Sequence, residues 1–166
     1  MSKILKVKAR QVFDSRGNPT VEAEVYVKNM SASAICPSGA STGTFEAFEK
    51  RDKNNKRYLG KSVLGAINLV NTKISKKLKG QNIHNQERID SILINLDGTR
   101  QKTNLGANAM LAVSMAVKKL SAKVKKLPLY RTFLFFNFLD IIELIILTGF
   151  KTLFPKYFLL FLSLFS

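Results

Sequence analysis

The sequence predicts an α+β fold in which a three-stranded antiparallel meander is followed by a helical bundle. Apolar and polar residues alternate in two stretches within residues 5–28, which is the period of half-buried strands. Between residues 62 and 128 the apolar residues recur every three or four positions, the period of amphipathic helices. A chain of 166 residues is long enough to bury a core, and its single cysteine, Cys36, excludes an internal disulfide.

The first two strands are predicted from their opposite faces. The first strand has Leu5, Val7, Ala9 and Phe13 on one face and Lys6, Lys8 and Arg10 on the other. After a turn at residues 14–19, the second strand directs Val21, Ala23, Val25 and Val27 inward and Glu22, Glu24 and Lys28 outward. Because one polar face is basic and the next is acidic, the two strands suit antiparallel pairing. Residues 31–36 form a short third strand.

Three helices follow, each with signals at its ends. The first has Ser62 as its predicted N-cap, carries an apolar stripe from Val63 to Leu78, and ends at Gly80. The second is capped by Asn85 and ends at the turn of residues 97–98. The third runs from about residue 107 toward Pro128, which cannot continue a helix.

Residues 37–43 form the clearest candidate site. The segment consists of Pro37, Ser38, Gly39, Ala40, Ser41, Thr42 and Gly43. It has little apolar surface to bury and offers backbone and hydroxyl groups, so it predicts a mobile loop that binds a polar ligand.

Charge and composition bound the remaining possibilities. The net charge of +16 favours anionic partners such as phosphorylated metabolites, nucleic acid or membrane surfaces. A lysine cluster late in the third helix indicates either a solvated face or a nucleic-acid patch; it comprises Lys118, Lys119, Lys123, Lys125 and Lys126. His84 is the only histidine, which excludes histidine-rich metal sites. The first residues lack the apolar region of a secretory signal, so we expect a cytoplasmic protein.

Residues 131–166 differ in composition from residues 1–130, which predicts a boundary near Tyr130. This tail holds 9 Phe, 9 Leu and 4 Ile but no Ala or Val. Every Ala and Val codon begins with G, so an AT-rich gene read in the wrong frame would produce such a tail. A membrane anchor is the alternative. The apolar side chains of residues 132–150 favour membrane insertion by about 4–8 kcal/mol, but Asp140 and Glu143 within this segment cost about 5–7 kcal/mol, which leaves insertion undecided.

Several ordered segments of residues 3–130 resemble the N-terminal domain of enolase. They read DSRGNPTVE at residues 14–22, PSGASTG at 37–43, EA at 46–47, RD at 51–52, YLGK at 58–61, LDGT at 96–99, LGANA at 105–109, AVS at 112–114 and PLY at 128–130. The family, also called phosphopyruvate hydratase, is a lyase of glycolysis that reversibly dehydrates 2-phosphoglycerate to phosphoenolpyruvate. The resemblance implies a cytoplasmic enzyme that uses two Mg²⁺ ions and assembles as a homodimer or higher oligomer.

The resemblance also implies roles for particular residues. In the family, the loop matching residues 38–43 closes over the substrate, and the serine matching Ser41 ligates the second Mg²⁺. Residues matching Arg10 and Glu22 pair with charges on the dimer partner. His84 matches no catalytic residue and is expected at the surface, while Cys36 is expected to be a buried apolar side chain rather than a nucleophile.

The family's catalytic residues lie on a C-terminal barrel, and no part of residues 131–166 matches its motifs. The sequence therefore predicts an enolase fragment with no catalytic residue of its own, no activity alone and doubtful Mg²⁺ binding. The alternative is a non-catalytic basic protein that binds nucleic acid, or a membrane through its apolar tail.

Overall fold

The computed structural model of the chain describes residues 2–36, 47–53 and 57–132. The predicted tail therefore lies outside the described residues, apart from its first two positions. Within the described part, residues up to Leu129 belong to one compact unit, and the chain divides between Leu129 and Tyr130.

The predicted α+β fold, with its antiparallel meander followed by helices, is confirmed. Strands β1 (Lys6–Phe13), β2 (Pro19–Tyr26) and β3 (Ser31–Cys36) form one sheet with β2 in the centre. Arg10 faces Glu22 and Lys8 faces Glu24 across the β1–β2 pair, as the opposite charges of the two strands predict. Val21, Ala23 and Val25 of β2 are fully buried.

The helices cover the sheet. Helix α1 (Leu64–Leu69) passes through a π-helical turn (Val70–Ile74) into α2 (Ser75–Leu78), and is followed by α3 (Gln86–Asp97) and α4 (Ala107–Val124). Short 3₁₀ turns occupy Tyr58–Gly60 and Leu129–Thr132. Helix α4 packs against β2 and β3, whereas α1, the π-helical turn and α2 contact β1. The core lies between the sheet and these helices.

The predicted inward face of β1 is wrong at both ends. Leu5 and Phe13 are 51% and 53% exposed, while Ile4 is 1% exposed. The Ile4 N–H donates to the Gln81 carbonyl at 2.9 Å, and its carbonyl accepts from the Gly80 N–H at 2.8 Å. The residues before β1 are thus tied to the turn after α2, which interrupts the alternation that the sequence pattern assumes.

The ends of the helices agree with the sequence in α3 but not in α1. Asn85 accepts from the Arg88 N–H at 3.0 Å, and Gly98 ends α3 in the left-handed region at φ 70°. Ser62, however, does not cap α1, because its hydroxyl donates to the Gln11 side chain at 3.0 Å. The predicted single helix over residues 62–78 also contains the π-helical turn, which no periodicity in the sequence reveals.

Candidate functional site

The candidate loop lies outside the described residues, but the chain just before it and just after it is fixed by hydrogen bonds. Residues 38–43, with the proposed ligand Ser41, lie outside the described residues. Strand β3 leads to the loop and ends at Cys36, whose carbonyl accepts a hydrogen bond from the buried Thr20 hydroxyl. The description resumes at Ala47. The sheet therefore fixes the point at which the chain enters the loop.

The far end of the loop is joined to the start of α4. The Phe48 N–H donates to the Gln101 carbonyl at 2.7 Å, and the Phe48 carbonyl accepts from the Ala107 N–H at 2.8 Å. Two residues on, the Asn108 amide accepts from the Lys50 N–H at 3.2 Å and donates to the Lys50 carbonyl at 3.0 Å. These four hydrogen bonds hold residues 48–50 against the start of α4 and the turn before it, so the exit from the loop is fixed as well.

Gly106 permits this close approach. Its φ is 92°, a conformation that residues with a side chain rarely adopt. A Cβ atom at this position would lie 2.5 Å from the Lys50 Cβ and 2.7 Å from the Asn108 Oδ1. Glycine is thus required here for two independent reasons, backbone conformation and space.

Asp52 connects the same segment to α1. Its carboxylate accepts from the Leu64 N–H at 2.9 Å and from the Gly65 N–H at 2.8 Å, both at the first turn of α1. These are amides that have no partner inside the helix, and a carboxylate there also suits the helix dipole. The sequence pattern does not predict this cap, because Asp52 lies 12 residues before Leu64, whereas cap signals are read next to the helix.

Arg51 links the segment to the start of β2. Its guanidinium lies 2.8 Å from a Glu49 carboxylate oxygen and donates to the Pro19 carbonyl at 3.3 Å and to the Lys61 carbonyl. The pair RD at 51–52, quoted above for the resemblance, therefore has a structural purpose. It anchors the chain that leaves the loop.

Cys36 is buried, as predicted. The side chain is 8% exposed, and this burial, with a smaller effect of the Glu49 charge, raises the pKa of the Cys36 thiol to about 11. A thiol with so high a pKa carries almost no thiolate at neutral pH, so it is a poor nucleophile.

The predicted interface residues Arg10 and Glu22 lie together on the β1–β2 pair. The Arg10 Nε is 2.7 Å from the Glu22 Oε2, and an Arg10 Nη lies 3.6 Å from the Glu24 carboxylate. The Arg10 side chain is 62% exposed, while that of Glu22 is only 11% exposed. Their role between subunits is not tested by a single chain and stays a prediction.

His84 is not fully at the surface, in contrast to the prediction. It is half-buried, and its Nδ1 lies 2.8 Å from the Ser121 Oγ. Burial, together with the nearby Lys125 and N-terminal charges, lowers the pKa of His84 below its usual value. The residue joins the turn before α3 to α4.

A buried aspartate, Asp97, is a second feature that the sequence pattern does not predict. Asp97 is 2% exposed and accepts from the Thr99 N–H at 3.0 Å, the Leu105 N–H at 2.7 Å and the Thr99 hydroxyl. Burial alone would raise the pKa of Asp97, but these hydrogen bonds outweigh it and hold the pKa below its usual range. Asp97 thus organises the turn before α4, against which residues 48–50 are held.

Within residues 2–36, 47–53 and 57–132, no three His, Cys, Asp or Glu side chains are grouped so that they could hold a metal ion. In the same part of the chain, no helix combines the length and apolar character needed to cross a membrane.

Comparison with known proteins gives consistent matches. The sequence model of the family described as "Enolase, N-terminal domain" matches residues 4–133. An enolase of Pelagibacter ubique is 83% identical over 137 residues, which are 82% of this chain and 33% of the relative. Enolases of Methanococcus maripaludis and Methanococcus vannielii are 59% and 58% identical over 129 residues, 77% of this chain and 30% of each relative. The chain therefore spans about a third of the length of the curated relatives it matches.

Proposed function

The chain belongs to the enolase family. We propose that residues 1–130 supply those parts of an enolase active site that come from the N-terminal domain. The observation that carries the proposal is the match to the N-terminal domain at 83% identity, over a third of the relative's length. The matches give no support to the alternative of a basic protein that binds nucleic acid or membranes. We propose that residues 131–166 are for the most part a segment foreign to this domain; the family model matches only their first three positions, to residue 133.

The proposed reaction is the reversible dehydration of 2-phosphoglycerate to phosphoenolpyruvate. Two Mg²⁺ ions, when bound, stabilise the negative charge that develops when a weakly acidic proton is removed next to a carboxylate. Residues 38–43 close over the substrate and exclude water, and Ser41 offers its hydroxyl and carbonyl oxygens to the second ion. The hydrogen bonds that hold Cys36 before the loop and Phe48 after it support this role, because a loop that closes over a substrate needs fixed ends.

The donor set of this chain fits Mg²⁺ in kind but not in number. Hydroxyl and carbonyl oxygens are ligands that Mg²⁺ prefers, but the ion needs about six of them. Ser41 supplies only a few, and the family's carboxylate ligands, base and acid belong to a barrel that residues 131–166 do not match. We therefore propose that the 166-residue polypeptide is inactive by itself and binds Mg²⁺ weakly at most.

The assembly proposed for the domain follows the family. Arg10 and Glu22 are proposed to pair with charges of a partner subunit in a homodimer, in the cytoplasm. The exposure of Arg10 supports this, since a guanidinium held by Glu22 at 2.7 Å still has donors directed outward.

A chimera tests the proposal. The purified 166-residue chain, assayed with 2-phosphoglycerate and Mg²⁺, is expected to give no phosphoenolpyruvate absorbance above a control without protein. A chimera in which residues 1–130 replace the matching part of the Pelagibacter ubique enolase is expected to be active. In that chimera, Ser41→Ala should reduce the rate by about tenfold or more, because a metal ligand is lost.

The matched control in the chimera is Ser91→Ala, an exposed serine on α3, which is expected to leave the rate unchanged. Turnover by the 166-residue chain alone would contradict the proposed inactivity. An inactive chimera that is folded and dimeric would contradict the assignment of residues 1–130 to an enolase active site.

A further inference from the structure

A groove between α2 and α3 contains a cavity that the proposed function does not use. The cavity has a volume of about 260 Å³ and is lined by Lys77, Arg88, Ile92, Asn95 and Leu96. Lys77 belongs to α2, and the other four residues lie on one side of α3. This volume is slightly below the usual range for drug-sized ligands, so the cavity suits a small molecule.

The walls of the cavity differ in character. Ile92 is 7% exposed and Leu96 is half-buried, so they form an apolar floor. The Lys77 and Arg88 side chains are exposed at the rim, and Asn95 adds an amide that both donates and accepts. The cavity therefore offers two positive charges beside an apolar surface.

No acid of the described chain neutralises these two cations. Among the ion pairs of the described residues, none includes Lys77 or Arg88. The acidic residues of α3 either accept hydrogen bonds from other residues or lie on another side of the helix. Asp90 accepts from Ser114 at 2.7 Å and from Gln86 at 3.1 Å.

The other acids of α3 are equally unsuited to pair with the rim. Asp97 is buried and engaged by Thr99 and Leu105, and Glu87 lies at the position next to Arg88, which faces another side of the helix. Lys73, four residues before Lys77, adds a third positive charge one turn away.

The helix that carries Lys73 and Lys77 has an irregular turn at this place. The π-helical turn Val70–Ile74 contains Lys73 and directly precedes α2. Such turns widen the helix by one residue, change the direction of the side chains that follow, and occur often at functional sites. Here the turn immediately precedes the segment that presents Lys77 to the cavity.

We propose that the cavity between α2 and α3 binds a small organic phosphate, with its phosphoryl group between Lys77 and Arg88 and its apolar part on Ile92 and Leu96. A phosphomonoester carries a charge of about −1.5 to −2 at neutral pH, which matches the two cations that have no acidic partner among the described residues. The Arg88 guanidinium is suited to two parallel hydrogen bonds with phosphoryl oxygens. The proposal does not rest on the enolase assignment and uses no residue of the 38–43 loop.

An NMR titration of the ¹⁵N-labelled 166-residue chain tests the proposal, with phenyl phosphate, inorganic phosphate and phenol as probes at constant ionic strength. Phenyl phosphate is expected to give saturable shifts at residues 77, 88, 92, 95 and 96, with higher affinity than inorganic phosphate. Arg88→Gln and Lys77→Gln should each weaken binding by about tenfold, as expected for the loss of a charged hydrogen-bonding partner.

The matched control is Lys119→Gln, which removes the same charge from an exposed position of α4 outside the cavity. It is expected to leave the affinity for phenyl phosphate unchanged, and unshifted resonances away from each substitution will show that all variants are folded. The proposal is overturned if no saturable shifts occur at these residues, if Lys119→Gln weakens binding as much as Arg88→Gln, or if phenol binds as well as phenyl phosphate. Equal affinity for inorganic and phenyl phosphate would overturn the role of the apolar floor.

Discussion

The replacement Gly106→Ala is the most direct way to weaken the attachment of residues 48–50 to the start of α4, which fixes the exit from the 38–43 loop. Gly106 lies where residues 48–50 cross the start of α4, and its φ of 92° is unfavourable for alanine. The new Cβ would lie 2.5 Å from the Lys50 Cβ and 3.2 Å from the Lys50 backbone nitrogen. Since one of these neighbours is backbone, the segment itself has to move.

The expected loss of stability has two parts. With φ 92° and ψ 134°, Gly106 lies in a backbone region that residues with a side chain rarely occupy, at a cost of about 1–3 kcal/mol. Relieving the overlap with Lys50 adds about 1–3 kcal/mol, as for other overpacked sites. The free energy of unfolding should therefore fall by about 2–6 kcal/mol. Because small domains have about 5–15 kcal/mol of stability, a loss in the lower half of this range leaves the variant folded in water.

Urea denaturation followed by circular dichroism measures this loss, with Gly80→Ala as the matched control. Gly80 has a φ of 83°, but a Cβ at this position would meet nothing within 4 Å. It is therefore expected to lose only the backbone part, about 1–2 kcal/mol. In Gly106→Ala, hydrogen exchange at the Phe48 and Lys50 amides should also accelerate more than exchange in the sheet.

Equal destabilisation by Gly106→Ala and Gly80→Ala would contradict this prediction, because it would mean that the contact with Lys50 costs nothing. A change in the slope of unfolding against urea would instead indicate that the compactness of one of the states has changed.

Three other substitutions test hydrogen-bonded side chains elsewhere in the described domain. Asp52→Ala removes the acceptor for the Leu64 and Gly65 N–H groups and should lower the free energy of unfolding by about 1–2 kcal/mol in urea denaturation. The pKa of Asp97 is held below its usual value of 3.8, so the stability that the Asp97 carboxylate contributes is present above pH 3.8 and is lost as the pH falls below it. Asp97→Asn should therefore lower the free energy of unfolding at pH 7 and weaken the dependence of stability on acid pH. Because the pKa of His84 is lowered from 6.5, the unfolded chain takes up a proton first as the pH falls through that value, and His84→Gln should flatten the loss of stability there.

Each of these predictions has an outcome that would contradict it. For the helix cap, the control is Asp14→Ala, which likewise removes the acceptor of two backbone N–H groups, those of Arg16 and Asn18 in the β1–β2 turn. It is expected to leave hydrogen exchange of the Leu64 and Gly65 amides unchanged. Unchanged protection of these amides in Asp52→Ala would show that Asp52 is not their partner. For Asp97, an acid dependence identical to that of the unmodified chain would exclude it as a contributor. For His84, the titration of its ring followed by NMR should give a pKa below 6.5, and a higher value would reverse the expected sign.

Local patterns predicted most of the fold. The inward residues Val21, Ala23 and Val25 of β2, the Asn85 cap and the Gly98 end of α3 depend on residues close together in sequence, and the structure agrees at each of them. The strict alternation predicted for β2 is wrong at Glu22, which was expected to face outward but is only 9% exposed. The candidate loop was likewise visible as a run of small and hydroxyl residues, and the ordered motifs around it identified the family that the comparisons then matched over residues 4–133.

The misses share a physical cause, which is contact between residues far apart in the chain. Leu5 is exposed because Ile4 is held by the turn after α2, some 75 residues later. Ser62 fails as a cap because Gln11 engages its hydroxyl, and Asp52 takes over the first amides of α1. No rule that examines neighbouring residues contains these partners.

The division between sequence and tertiary structure follows from the range of the forces involved. Backbone preferences and periodic burial act over a few residues, so composition and spacing alone specified the meander, most of the helices and the family. Packing and hydrogen bonds between distant segments decided the rest: the attachment of residues 48–50 to the start of α4 and of Asp52 to α1, the requirement for glycine at position 106, and the positive cavity between α2 and α3. Those features exist only once the chain has folded, because they join groups that the sequence keeps apart.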